Sequence, residues 1–153
     1  MQLSVIILNY NVRYFLEQCV LSVENAIKSM DAEIIVIDNN SKDDSCEMMK
    51  QRFPNVKLIE NKENLGFPKG NNIAVAQAKG EYLCILNPDT VVAEDTFEKI
   101  ALFLEMTENV GIVGVKLIDG TGNFLPESKR GIPTPWVAFT KITGLYKIFP
   151  KSR

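Results

Sequence analysis

Leu3-Ser-Val-Ile-Ile-Leu8, followed at once by Asn9-Tyr-Asn11, is the stretch on which the fold turns. Apart from one serine the run is aliphatic and rich in β-branched residues. That suits a strand buried on both faces, as in a parallel sheet. The polar triplet ends it. Beyond it, apolar residues at 12, 15, 16, 19, 20, 23 and 27 keep helical spacing, with Asn11 placed to cap the helix.

The same strand-then-helix pattern recurs along the chain. Glu33-Ile-Ile-Val-Ile-Asp38 reads as a second strand, and Asn39-Asn40 turns the chain. Ser41-Lys-Asp-Asp44 then resembles a capping box ahead of a helix over 42–52, which Pro54 stops. Val56–Glu60 is a third, shorter strand. Pro68 fits the first turn of a helix that runs to about Lys79 and ends at Gly80. Glu81–Leu86 is a fourth strand, broken by Asn87-Pro-Asp-Thr90, with a helix from near Glu94. Gly111–Ile118 reads as a fifth strand, and Asp119-Gly120 with Thr121-Gly122 as a hairpin turn. This alternation predicts an α/β fold: a Rossmann-like, mostly parallel central sheet with helices on both faces.

Such sheets bind ligands beyond the carboxyl ends of their strands, where strand order reverses. The polar residues after strands one, two and four are Asn9-Tyr10-Asn11, Asp38-Asn39-Asn40 and Asn87-Pro88-Asp89. All three clusters should meet on that edge. Tyr10 offers a flat apolar surface for a nucleotide base, and Asp38 can accept from the imide N–H of uracil or thymine, a donor that adenine lacks. Asp38 could instead cap the next helix. Asp89 could hold a divalent cation that bridges two phosphates, or simply cap the turn before the next helix. Asn64-Leu-Gly66 leads into a helix N-terminus, where free N–H groups attract phosphate, and Lys69 adds charge. Neither GxGxxG nor GxxxxGKS is present, which argues against a dinucleotide dehydrogenase or a P-loop NTPase.

Composition removes other classes. The 153 residues fit one domain, and a net charge of −2 argues against a general nucleic-acid binder. There is no histidine, so Ser-His-Asp and Cys-His catalysis and His-ligated zinc are excluded within this chain. A metal here would need oxygen ligands, which points to Mg or Mn. Cys19, Cys46 and Cys84 are odd in number and far apart, which suits small core residues in a reduced, cytosolic setting. Met1-Gln-Leu-Ser4 runs straight into strand-like sequence, so neither a secretory leader nor a transmembrane helix is expected.

Together these motifs resemble the family 2 glycosyltransferases with the GT-A fold, most closely the rhamnosyltransferase-like branch. The carrying residues are Ser4–Asn11, Ile35–Ser41, Glu63–Phe67 with Gly70-Asn-Asn72, Leu86–Thr90, and Val110–Leu117 followed by Asp119-Gly120 and Ser128-Lys-Arg130. The resemblance implies inverting transfer of a sugar from a UDP- or dTDP-linked donor to an acceptor hydroxyl, in cell-surface polysaccharide synthesis. It implies that Leu8, Asn9, Tyr10, Asn11, Asp38, Asn64, Gly66, Lys69, Asn71 and Asn87 bind the donor. Asn87-Pro-Asp89 matches the family's metal-binding DxD motif with Asn87 in place of the first aspartate, which leaves Asp89 as the charged ligand for Mn or Mg. The family's general base lies in an acceptor-binding part, expected beyond Arg153. The expected partners are a nucleotide-sugar donor and a glycan or lipid-linked acceptor.

Residues 1–128 thus read as the nucleotide-sugar-binding domain and 129–153 as a basic segment leading toward the acceptor part. Every charge after Glu127 is positive: Lys129, Arg130, Lys141, Lys147, Lys151 and Arg153. Trp136, Val137, Phe139, Ile142, Leu145, Ile148 and Phe149 lie among them with imperfect helical spacing. The segment could lie on an anionic membrane surface at its cytoplasmic face, or pack on the acceptor half. Two other functions remain. One is a non-catalytic module for nucleotide sugar or glycan. The other is a sugar nucleotidyltransferase, which needs a Gly- and Arg-rich loop after the first strand, where Asn9-Tyr10-Asn11 stands.

Overall fold

The computed structural model describes residues 1–125 and 134–144. It divides into two compact units, Met1–Val110 and Gly111–Arg153. In the first unit, strands β1 (Leu3–Asn9), β2 (Ala32–Asp38), β3 (Lys57–Glu60) and β4 (Tyr82–Leu86) alternate with helices α1 (Arg13–Ala26), α2 (Ser45–Arg52), α3 (Gly66–Val75) and α4 (Thr96–Met106). The sheet order is β3-β2-β1-β4 and every pairing is parallel. The register sets Asn9 opposite Asp38, so two of the polar strand ends are neighbours. Chain order reverses between β1 and β4, the place at the carboxyl edge where open sheets of this kind bind ligands.

Alternation along each strand builds two cores. Val5, Ile7, Ile34 and Val36 pack with Leu16, Val20, Met48, Met49 and Phe97, from α1, α2 and α4. Ile6, Ile35 and Ile37 point the other way, onto Ala74 of α3. Each fully buried aliphatic side chain contributes about 1.5–3 kcal/mol, and the central strands β1 and β2 carry most of them. The chain enters β4 past Gly80, where a Cβ would lie 2.4 Å from the Ser4 backbone nitrogen and 2.6 Å from the Leu3 carbonyl carbon. Only glycine lets the backbone pass this close to β1.

Four local expectations are corrected. Asn11 does not cap α1. It adopts a left-handed turn, φ 55°, and its Oδ1 accepts the Lys42 N–H at 2.7 Å. The Ser41–Asp44 capping box does not form, because Ser41 is drawn to Asp38, and α2 begins at Ser45 rather than 42. Asp43 caps both helices in its place. Its Oδ2 accepts from Arg13 N–H at 3.1 Å and its Oδ1 from Ser45 N–H at 3.2 Å. Helix α3, Gly66–Val75, holds Pro68 in its first turn as expected but ends short of Lys79.

The fourth correction lies in the second unit. Gly111–Ile118 forms no ladder, only a single antiparallel bridge between Ile118 and Phe124. A strand needs a continuous partner for its N–H and C=O groups, and among the described residues this stretch has one bridge. The turn itself forms as expected. Asp119 Oδ1 accepts from the Thr121 N–H, the Thr121 hydroxyl and the Asn123 N–H, and Gly122 takes φ 85°. Helix α5 (Pro135–Ile142) follows, with Trp136 and Phe139 stacked at 5.6 Å. Ser128, Lys129, Arg130, Lys147, Lys151 and Arg153 lie outside the described residues.

Candidate functional site

The ends of β1 and β2 are joined by side chains. Asp38 is 2% exposed although it carries a carboxylate. Its Oδ1 accepts from Asn9 Nδ2 at 2.8 Å and from the Ser41 hydroxyl at 2.6 Å. Its Oδ2 accepts the Ser41 N–H at 2.7 Å. A buried carboxylate must be compensated in this way, since an unpaired one is far too costly. Asn9 is fully buried behind it, and its Nδ2 also donates to Ser41 Oγ at 3.1 Å. Tyr10, between them and Asn11, is 45% exposed. Its ring is the accessible flat surface of this corner.

A second knot ties β2 to the entry of α3. Asn39 is buried and its backbone N–H meets the Asn9 carbonyl at 2.9 Å. Its Nδ2 donates to Asn64 Oδ1 at 3.2 Å and to the Gly66 carbonyl at 3.3 Å, while its Oδ1 accepts from Asn61 Nδ2 at 2.9 Å. Asn64 Oδ1 also takes the Gly66 N–H at 2.9 Å, and Gly66 holds φ 73°. That left-handed conformation favours glycine. Leu8 reaches across to Gly70, where a Cβ would sit 2.1 Å from Leu8 Cδ1. Asn71 is buried, its Nδ2 on the Phe67 carbonyl at 2.9 Å and its Oδ1 without a partner. Lys69 is exposed on the first turn of α3.

The end of β4 is built differently. Asn87 and Asp89 are exposed, with Pro88 and Thr90 half-buried. The Asn87 carbonyl accepts from the Thr90 N–H at 3.2 Å and from the Cys19 thiol at 3.6 Å. Among the described residues no group of three His, Cys, Asp or Glu could hold a metal ion. Asp89 alone offers one carboxylate. That fits a cation whose remaining ligands come from substrate phosphates and water, the habit of Mg-type sites, and does not fit one held by protein alone.

All three cysteines are free thiols. Burial pushes Cys19 up to about 12. Burial, then the neighbouring Asp38 carboxylate, raises Cys46 to the same value. Burial raises Cys84 as well. None is poised as a nucleophile.

The expected residues follow the carboxyl ends of the strands, but not as equals, and Asn71 stands apart, buried within α3 on the Phe67 carbonyl. Leu8, Asn9, Asn11, Asp38, Asn64 and Gly66 are knit together directly or through Asn39 and Ser41. Tyr10, Lys69, Asn87 and Asp89 stand at the exposed margin. Sequence reasoning placed Asn39 at this edge without a partner, and missed Ser41 and Asn61 as members of the site. The available signal was the run of short polar side chains around Asp38, each able to turn back onto a strand end.

Polar residues at the carboxyl ends of an open parallel sheet stand where α/β domains of this class bind their ligands. The glycosyl transferase family 2 model matches residues 4–150, and the chain belongs to that family. It is 31% identical over 124 residues to the minor teichoic acid biosynthesis protein GgaB of Bacillus subtilis, covering 78% of this chain and 14% of that protein. It is 25% identical over 155 residues to the poly(ribitol-phosphate) beta-N-acetylglucosaminyltransferase TarS of Staphylococcus aureus, covering 98% of this chain and 27% of TarS. The crystal structure of TarS 1–349 in complex with UDP-GlcNAc superposes with a TM-score of 0.68 at 26% identity, over 88% of this chain and 37% of that one. The chain thus spans well under half the length of these relatives. Among its described residues no helix is long and apolar enough to cross a membrane.

Proposed function

We propose that this chain is the donor-binding part of a glycosyltransferase. It takes a UDP- or dTDP-linked sugar for inverting transfer to an acceptor hydroxyl, in the synthesis of cell-surface polysaccharide. The observation that carries this reading is the convergence of Tyr10, Asp38, the α3 entry and Asp89 on one carboxyl edge of the sheet. Tyr10 stacks on the base and Asp38 accepts from its imide. Asn9 acts from behind Asp38, and the Leu8 backbone and Asn11 shape the same pocket wall. Asn64, Gly66, Lys69 and Asn71 line the diphosphate at the start of α3, and Asn87 lies beside the sugar phosphate. Asp89 would hold a Mn or Mg ion arriving with the diphosphate, and such an ion would supply Lewis-acid chemistry to the leaving group.

Family membership and the UDP-GlcNAc complex of a relative support the donor class. The acceptor is a glycan or a lipid-linked acceptor, and the teichoic acid and poly(ribitol-phosphate) names of the relatives support a cell-surface polymer as its product. Three free thiols support a cytoplasmic setting, and the positive charges after Glu127 support contact with the inner membrane face. Within this reading, residues 1–128 bind the donor and 129–153 lead to the acceptor. The motif set supports a rhamnosyltransferase-like enzyme, a hexosyl or rhamnosyl donor being the range to test.

Melting the chain with UDP, dTDP, GDP and ADP, each with and without Mn, tests the proposal. A nucleotide at about 100 times its Kd adds ~2.7 kcal/mol of stability, a rise of a few degrees. UDP or dTDP should raise Tm selectively, with Mn adding to the shift in the parent and not in Asp89→Ala. A shift equal for all four nucleotides, or none, rejects it.

A further inference from the structure

Ser41 lies at the centre of the β1–β2 corner, and its hydrogen-bonding capacity is fully used. A hydroxyl has one proton to give and two lone pairs to fill. Ser41 Oγ accepts from Asn9 Nδ2 at 3.1 Å and from the Asn11 N–H at 2.9 Å. Both partners are donors, so the hydroxyl proton can go only to Asp38 Oδ1, at 2.6 Å. The Ser41 N–H meanwhile holds Oδ2 at 2.7 Å. One residue thus grips both carboxylate oxygens and, through Asn9 and Asn11, both neighbours of Tyr10.

Asn9 is locked by the same triangle. Its Nδ2 faces the carboxylate, and its buried Oδ1 is left without a partner. Turning the amide round would satisfy neither end, because it would set the amide oxygen against Asp38 Oδ1.

We infer that Ser41 is the positioning residue for nucleobase recognition: it sets the carboxylate of Asp38 against the imide while fixing the turn that presents Tyr10. The inference rests on the proposed donor site and adds to it a residue that does not itself touch the base. Asp38 sits at the floor of the corner with almost no exposed surface, so a small rotation of its carboxylate would withdraw the acceptor altogether. Threonine keeps the hydroxyl and should preserve the function. Alanine removes the hydroxyl's three hydrogen bonds at once.

The test compares UDP with N3-methyl-UDP, which lacks the imide donor, by calorimetry on the full chain. The parent should prefer UDP by about tenfold or more, the worth of a hydrogen bond to a charged group. Ser41→Ala should bring that ratio close to one and weaken UDP roughly tenfold, and Ser41→Thr should restore both. In an Asp38→Asn background, Ser41→Ala should change neither. If Ser41→Ala does not fold, Ser41→Cys keeps the volume with a much weaker donor, and the same ratio decides. A merely structural serine would lower Tm and leave the ratio intact, and that result overturns the inference while sparing the donor site. If Asp38→Asn leaves the UDP ratio unchanged, base reading by Asp38 falls, and the role of Ser41 falls with it.

Discussion

The ends of β2 and β4 lie at the same edge of one sheet yet are made in opposite ways. At β2, Asp38 and Asn39 are almost wholly buried, and every oxygen of the carboxylate is already engaged by the chain. At β4, Asn87 and Asp89 are exposed, and the loop is tied back through a thiol and one turn. A central strand with neighbours on both sides can support a preorganised acceptor. β4 pairs only with β1 among the described strands and cannot. The β2 end is thus built to discriminate and the β4 end to be completed by what binds, which suits a base on one side and a metal diphosphate on the other.

Removing each carboxylate tests that contrast with the largest expected effect. Asp38→Ala strands the Asn9 amide, the Ser41 hydroxyl and the Ser41 N–H, and should cost about 3 kcal/mol of stability. Asp89→Ala strands nothing in the unliganded chain and should stay within ~0.5 kcal/mol of the parent. Urea denaturation without nucleotide measures both. Equal losses would mean that the two ends are not differently built.

The tie at β4 has a pH signature. Burial holds the Cys19 thiol protonated up to about 12, whereas the unfolded chain releases that proton near the ordinary value of about 8.5. Between these values the native state binds more protons than the unfolded one, so stability falls as pH rises. The slope is about 1.4 kcal/mol per pH unit for this one group, and nothing is lost below pH 8. A loss of ~2 kcal/mol by about pH 10 is the expected size, read as the difference in slope between parent and Cys19→Ala. Identical slopes would show that the thiol is not sequestered and that the β4 loop opens in solution.

The sheet was legible because it depends on long runs with a clear period. Leu3–Leu8, Glu33–Asp38 and Glu81–Leu86 each appear as strands within a residue of the expected bounds. Two-faced burial follows from composition for β1 and β2, whereas on β4 one face, Leu83 and Ile85, stays 46% exposed. What stayed hidden was local competition among short polar side chains. Ser41 could cap a helix or hold Asp38, and the pattern cannot tell, because the decision rests on where Asn9 and Asn11 stand, some 30 residues away in sequence. The same holds for Asp43, whose partner Arg13 lies on another helix. Gly111–Ile118 failed for a different reason. It has strand composition, but composition supplies no partner strand, and among the described residues only its end, Leu117 and Ile118, pairs back on the backbone of 124–125.

The smallest expected effect bears most directly on the β4 end. Asn87 is exposed, so Asn87→Asp adds a carboxylate without disturbing a packed core. An anionic oxygen binds a hard cation better than an amide does, and a charge pair two residues apart with Asp89 resembles an ordinary two-carboxylate site. Two effects then compete. The added ligand strengthens Mn in the UDP complex by about tenfold, ~1.4 kcal/mol. Without metal, the second negative charge repels the diphosphate and weakens UDP by a few-fold. Titrating Mn against the UDP complex, and UDP with and without Mn, separates the two. Tighter Mn together with weaker metal-free UDP shows that Asn87 faces the diphosphate, and that asparagine there keeps UDP bound when metal is scarce. If neither constant moves, Asn87 faces away, and Asp89 must then find its cation without help from the rest of the β4 loop.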